Sequence, residues 1–425
     1  MPEQSTGHLG LKKTGLEADS APVSGLKNIF EFLALRRNTS LLLVALVLAG
    51  TGEKLWLGFA PKYIETLGGT VLIIGLFDAL QTLLGAVYAY PGGWLTDRWG
   101  QRKSLLLFSA ISMAGYVLVL LWPHWLALLL GSFLFLAWSA LSLPATFSVV
   151  ATSLERHRHT MGVGVQSMIR RVPMMLGPLI GGWMLTRYGW IDGVRYSLVL
   201  CIALSLLTAA FQWFMFEPEV GGSDLPASQA GQQRGPTLFA VVRSFTPGLK
   251  ELLVSDILIR FCERLPYAFV ILWAMDHGGV TAQQFGFLIA IEMLTAMLCY
   301  IPVAHLADKY GRRPFVLITF VFFTLFPVTL LFAHDFKWLA LAFVVRGLKE
   351  FGEPARKALI IGEAKPELRA RTYGAYYLIR DCTVTTGSFI GAGLWSLSPQ
   401  ANFIGAAVFG GLGTVWFWWF IYRKN

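Results

Sequence analysis

The stretch Gly93-Trp-Leu-Thr-Asp97-Arg98-Trp-Gly100-Gln-Arg102-Lys103 returns 211 residues later as Ala304-His-Leu-Ala-Asp308-Lys309-Tyr-Gly311-Arg312-Arg313-Pro314. Each copy lies between two long apolar runs. A membrane unit has therefore been duplicated, and each half carries an Asp-basic-x-Gly turn followed by further basic residues at the same place.

Composition agrees with this reading. Of 425 residues, 55% are hydrophobic and 14% charged, too little polar surface to coat a water-soluble globule of this size. Twelve apolar runs lie near 41–63, 70–92, 103–123, 125–150, 161–186, 195–216, 252–275, 282–306, 314–334, 337–361, 371–397 and 401–422, here called spans 1 to 12. At roughly 20 residues each, such runs are long enough for a helix to cross a hydrocarbon core of about 30 Å. The expected fold is an all-α membrane protein of twelve transmembrane helices in two pseudo-symmetric six-helix bundles. Residues 1–40 read as a cytoplasmic amino tail, 41–216 as the first bundle, 217–250 as a polar cytoplasmic linker, and 251–425 as the second bundle. The first 28 residues contain no apolar segment, so span 1 is expected to act as the targeting signal itself.

A net charge of +10 raises the possibility of a nucleic-acid partner, but the distribution of Lys and Arg excludes that reading. They cluster in the tails and in every second loop, at Arg98/Arg102/Lys103, Arg156/Arg158, Arg234/Arg243/Lys250, Lys309/Arg312/Arg313 and Lys365/Arg369/Arg371. The opposite loops hold Lys62, Arg187, Arg195 and Lys337. By the positive-inside bias, both termini are expected in the cytoplasm of an integral plasma (inner) membrane protein. Cys201, Cys262, Cys299 and Cys382 fall inside spans without metal-ligand spacing and read as packing residues.

The halves align beyond the turns. A shift of 210 pairs Glu53-Lys54 with Glu263-Arg264, Gly68-Gly69 with Gly278-Gly279, Pro144 with Pro354, Gly164 with Gly374, Arg170 with Arg380, and Gly177 with Gly387. Parallel six-helix repeats flanking a midplane site are a build that secondary transporters use.

On these motifs the chain resembles the major facilitator superfamily over about residues 40–422. That family's marker Gly-x-Leu-Ala-Asp-Arg-x-Gly-Arg-Arg/Lys is matched with Thr96 for Ala and Gln101 for one Arg. The resemblance implies a gating role for Gly93, Asp97, Arg98, Gly100 and Arg102, and for their mates Asp308, Lys309, Gly311 and Arg312. Span 5 resembles the Gly-x8-Gly-x3-Gly-Pro-x2-Gly-Gly pattern of the drug/proton antiporter branch, with Gly164, Pro173 at the second Gly, then Gly177-Pro178 and Gly181-Gly182. This implies a bend that serves as a gate, and efflux as the direction. Span 10, from Arg346 through Gly352 and Pro354 to Ala358-Leu-Ile, resembles the Arg-x-x-x-Gly...Pro...Ala-Leu-Ile pattern that the family usually shows on span 4, where this chain has Leu136.

The charges inside the spans point to the chemistry. Arg346, Lys349, Glu350, Glu353, Arg356 and Lys357 form one helical stripe on span 10. Each costs at least roughly 2.5–3.5 kcal/mol in the membrane, so the stripe is expected either to pair internally or to line a hydrated path. Its end, Arg356 and Lys357, is read as reaching the headgroups. The symmetry of Glu53-Lys54 with Glu263-Arg264 suggests pairs of Glu53 with Arg170 and Glu263 with Arg380, leaving Lys54 and Arg264 to face a central cavity. Facing cations suit an anionic or zwitterionic solute, with Arg346 and Glu350 as further binding groups. The competing reading is a set of fixed bridges. Glu53, Asp78, Glu263 and Glu292 are candidate proton carriers, with Glu53 first, because a buried carboxylate favours its neutral form when unpaired.

The expected function is a secondary transporter of a small organic solute, working as a monomer by proton-coupled antiport, with protons as coupling ion and no cofactor. One alternative is a symporter importing an organic anion; another is a non-transporting sensor or scaffold. The chain shows no phosphate-binding loop for ATP and no enzyme motif.

Overall fold

A computed structural model of the protein describes residues 37–139, 170–215, 238–364 and 368–423. Among these residues every regular element is helical. Gly164, the final part of span 4 and most of the amino tail and linker lie outside them. Span 2 is the helix Val71–Trp99 and span 8 the helix Ala282–Tyr310, both longer than their apolar runs. Each stops only where a left-handed residue turns the chain, Gly100 at φ 80° and Gly311 at φ 88°, and the next helix begins one residue on. The motif residues Gly93, Asp97, Arg98, Asp308 and Lys309 therefore sit on final helical turns. Arg98 and Lys309 there suit the negative end of the helix dipole.

Spans 1, 7 and 10 are broken. Span 1 is Arg37–Lys54, a 3-10 turn at Leu57–Phe59, then Ala60–Thr66. Span 7 is Pro247–Tyr267 followed by Val270–Asp276, and span 10 is Phe336–Leu348 followed by Glu353–Glu363. Pro61, Pro266 and Pro354 lie at or beside these breaks, where a missing N–H weakens the helical ladder. Span 7 starts inside the stretch read as linker because Thr246 caps Leu249 N–H at 3.1 Å and Pro247 opens the helix. A short helix, Leu238–Arg243, precedes it. Six helices among the described residues are long and apolar enough by themselves to cross a membrane. The other spans are broken, more polar, or only partly described.

Packing repeats between the halves. Span 1 (Arg37–Lys54) packs on span 5 (Arg171–Tyr188) and span 6 (Trp190–Met215); span 7 packs likewise on span 11 (Arg369–Leu397) and span 12 (Pro399–Phe417). The bundles meet through span 5 against span 8 and span 2 against span 11. Among the described residues, their apolar cores are shared at one end. Away from the Gly100 and Gly311 turns, Trp56, Phe59 and Tyr63 belong to one buried cluster with Phe269, Trp273 and Phe285. Toward those turns the cores separate, one built around Phe108 and Trp138, the other around Phe315 and Phe320. The molecule is sealed at the end opposite the turns.

Candidate functional site: a charged cavity between the bundles

Beneath that seal lies a cavity of about 290 Å³ lined by spans 1, 2 and 5 on one side and 7, 8 and 10 on the other. Phe77, Met174, Phe285, Ile289 and Met293 form apolar wall; Lys54, Asp78, Gln81, Glu263, Tyr267, Glu292, Arg346 and Lys349 supply the polar groups. The helix breaks of spans 1 and 7 place Leu57, Gly58, Ala268 and Val270 in the same lining.

The seal is made by close backbone approach. A methyl on Gly181 would overlap the Leu55 carbonyl, and one on Gly177 would meet Lys54, so span 5 lies directly on the break of span 1. On its other face, Gly182 abuts Ala282, and the Pro178 carbonyl abuts Gly286, which joins span 5 to span 8 of the opposite bundle. Thr186 Oγ1 accepts from Gln283 N–H at 2.9 Å, and Lys62 bridges to Asp276 at 2.6 Å at the outermost rim.

Every charged group in the cavity wall has an oppositely charged neighbour. Lys54 Nζ is 2.8 Å from Glu53, whose side chain is buried. Arg346 is 3.1 Å from Glu292, and Lys349 is 2.6 Å from Glu263. Asp78 crosses the bundle interface: Arg264 reaches its carboxylate at 2.9 Å and its carbonyl at 2.6 Å, while Ser388 Oγ donates to the carboxylate at 2.6 Å. A second crossing joins Arg171 to Glu350 at 3.0 Å.

Two expected pairings are replaced. Glu53 takes Lys54 rather than Arg170, because the helix ends at Lys54 and the long ammonium stem folds back to its neighbour. Arg170 stands at the start of the described part of span 5, half-buried, with no ion pair to Glu53 among the described residues. Glu263 is held by Arg260 and Lys349, each at 2.6 Å, because the break in span 10 brings Lys349 across to span 7. Arg380 turns to Asp381 at 2.7 Å and to Asp256 at 3.5 Å. Arg264, read as facing the cavity, is instead engaged by Asp78 and Ser388.

The span 10 stripe also differs from expectation. Its partners come mostly from other helices: Glu292 on span 8, Glu263 and Asp256 on span 7, and Arg171 on span 5. Arg356 does not reach the headgroups; it is fully buried between Asp256 and Glu353. Lys357 alone of that end is half-exposed. Asp256, wholly buried and bound by Arg356, Arg380 and the Tyr376 hydroxyl, was not singled out in the sequence. Its signal was there, four residues before Arg260 and seven before Glu263 on one helical face. Ser388 carried none.

The basic residues of the turns bind within their own bundles. Arg98 lies over Trp94 at 5.3 Å; Arg102 stacks on Trp213 at 4.9 Å and donates to its carbonyl at 2.9 Å, tying span 3 to the end of span 6. Lys309 lies 5.3 Å from the Tyr310 ring, and Arg312 points to the Ala358 carbonyl at 3.5 Å. The side chains of Gly93, Asp97 and Asp308 are outside the described ones.

A model of the Major Facilitator Superfamily matches residues 42–274 and again 252–425. The multidrug resistance protein MdtG of Enterobacter lignolyticus (strain SCF1) is 25% identical over 386 residues, 88% of this chain and 88% of its own. MdtG of Serratia proteamaculans (strain 568) is also 25% identical, over 415 residues, 92% of this chain and 95% of its own. Among solved structures, the nucleoside transporter NupG superposes with a TM-score of 0.70 at 15% identity, over 91% of this chain and 99% of NupG. A POT family transporter in complex with a thioalcohol conjugated peptide gives 0.69 at 16%, over 90% and 94%. At such identities the structural likeness speaks for the fold alone. The two matches overlap over residues 252–274 and together span both bundles. The chain belongs to the Major Facilitator Superfamily and is an integral membrane transporter of small molecules, not an enzyme.

Proposed function

We propose that this transporter is a proton-coupled antiporter that exports a small anionic or zwitterionic organic solute by alternating access. The observation that carries the reading is the cavity itself: both bundles line it, ionisable groups stud it, and a shared apolar core closes it on one side. A rocking motion of one bundle against the other would break that core and the Asp78–Arg264 and Arg171–Glu350 crossings, then close the turn end. The charge distribution supports a cytoplasmic turn end, and in that orientation this state would accept solute from inside. Likeness to the MdtG proteins supports export. One chain completes the cavity, which supports a working monomer.

Protons enter the scheme at Glu53. It is buried, directly precedes the Lys54 and Leu55 contacts with the span 5 glycines, and pairs with the flexible Lys54, with Arg170 within electrostatic reach. A buried carboxylate that loses its cation takes up a proton rather than remain charged, so Glu53 is neutral in the half-cycle in which its cation turns away and charged in the half-cycle in which the pair re-forms, which lets a proton gradient bias the two states. Reconstitution tests this with a panel of labelled organic acids, zwitterions and drugs. Acid-inside vesicles accumulate solute under antiport. Accumulation only in alkaline-inside vesicles would establish the symport alternative, and no movement under either gradient would favour a sensor or scaffold.

A further inference from the structure

We infer that the cavity receives a zwitterion in one orientation, its acidic end against Tyr267, Lys54 and Arg346 and its basic end one helical turn away against Glu263. This deepens the export reading and rests on its assignment of the cavity as the solute site. The first observation is which member of each ion pair faces outward. In the Lys54–Glu53 pair the cation is 31% exposed and the carboxylate 4%; in Arg346–Glu292 the values are 11% and 6%. In both pairs the carboxylate is the less exposed member. In Lys349–Glu263 the order reverses, with Lys349 at 6% and Glu263 at 19%. The more exposed member is thus the cation in two pairs and the carboxylate, held also by Arg260 from behind the cavity lining, in the third.

Tyr267 marks the end that receives the acid. Its side chain is exposed and lines the cavity, and the guanidinium carbons of Arg264 and Arg346 lie 4.8 and 5.7 Å from its ring centre. The two guanidinium groups are attracted to the ring face and hold positive charge beside it. Lys54 is within electrostatic reach of the same phenol. Arg346 Nε is close to Glu292 yet makes no aligned hydrogen bond, so that pair is held by charge and the donor is uncommitted.

Glu263 and Tyr267 are four residues apart on the unbroken helix Pro247–Tyr267. Residues so spaced share a face, and four steps rise about 6 Å. Arg346 and Lys349, the partners of Glu292 and Glu263, lie three residues apart on span 10. Phe77, Met174, Phe285 and Met293 supply apolar wall for the body of the molecule.

The test uses purified protein and three para-substituted benzenes that share one body. They are 4-(aminomethyl)benzoate, a zwitterion with its charges about one helical turn apart; 4-methylbenzoate, the anion; and 4-methylbenzylamine, the cation. Binding is read from thermal stabilisation across a concentration series. The zwitterion should bind about tenfold tighter than either single ion, as expected for one added charged hydrogen bond at each end. Its 3-(aminomethyl) isomer, with closer charges, should lose most of that advantage. Tyr267→Phe should weaken the zwitterion and the anion by about tenfold and leave the cation unchanged. Glu263→Gln should erase the preference of zwitterion over anion; should that variant fail to fold, the isomer ranking in the parent protein decides the same point. Equal binding of the three probes, no binding of any, or an unaltered anion affinity in Tyr267→Phe overturns the inference. Failure of the export reading looks different: the ranking holds, but vesicles move no solute under either gradient.

Discussion

Glu53 and Glu263 occupy the same place in the two bundles, yet their surroundings are opposite. Among the described residues Glu53 makes one ion pair, to its own neighbour Lys54, whose side chain is 31% exposed, with Arg170 within longer electrostatic reach. Glu263 is clamped by Arg260 and Lys349, and Arg260 passes the connection to Glu353, then to Arg356, Asp256 and Arg380. The first bundle cannot build such a network. At the positions matching Asp256, Arg260, Arg346 and Lys349 it has Leu46, Gly50, Leu136 and Ser139. Duplication supplied two identical frames, and divergence filled one with fixed charge and left the other with a carboxylate that can change partner. We take the second bundle as the stiff half and the first as the half that responds.

The largest effect should come from cutting the stiff network. Asp256→Asn leaves Arg356 and Arg380 buried with too little negative charge, and should cost about 3–5 kcal/mol of bundle stability. Unfolding in mixed micelles measures this; a loss under 1 kcal/mol on the order of a surface pair would remove the distinction between the halves. Next is the seal. Gly182→Val drives a side chain into Ala282 of the other bundle, so the opposite end should spend less time closed. With Cys382→Ser as background, Gly58→Cys should then react several times faster with an impermeant maleimide, and an unchanged rate would show that the span 5 to span 8 contact is not what holds the end shut.

Much of this was legible in the amino acids. The repeated turns, the apolar runs and the shift of 210 specify two bundles, and Leu136 opposite Arg346 already showed them unequal. The partners were not legible. Several cations lie within reach of each buried carboxylate, and the choice depends on helix breaks that bring Lys349 to Glu263 and end span 1 at Lys54. Helical spacing places residues on a face, but not the rotation of that face within the bundle. For this reason Arg356 read as a headgroup anchor and proved to be the centre of the network.

Smaller effects belong to the ends. Asp97→Asn at the turn should slow exchange between states by about tenfold, equivalent to roughly 1.4 kcal/mol on the barrier, with little change in solute affinity. Transport rate and binding measured on one preparation separate the two; a normal rate at normal membrane levels would reduce the turn to a topology marker. Lys62→Ala removes the rim bridges to Glu65 and Asp276, whose partners are solvent-exposed, and should alter stability by about 1 kcal/mol or less. A larger loss would mean that the rim, and not the glycine contacts, carries the seal.

The most direct test sets Glu53→Gln beside Glu263→Gln. Both variants are assayed for thermal unfolding and, in proteoliposomes, for solute accumulation with and without an imposed pH gradient. The account predicts that Glu53→Gln unfolds like the parent and retains gradient-free exchange but gains nothing from the gradient, whereas Glu263→Gln is markedly less stable. A Glu53→Gln protein that still concentrates solute in acid-inside vesicles as the parent does, together with a Glu263→Gln protein as stable as the parent, would contradict it.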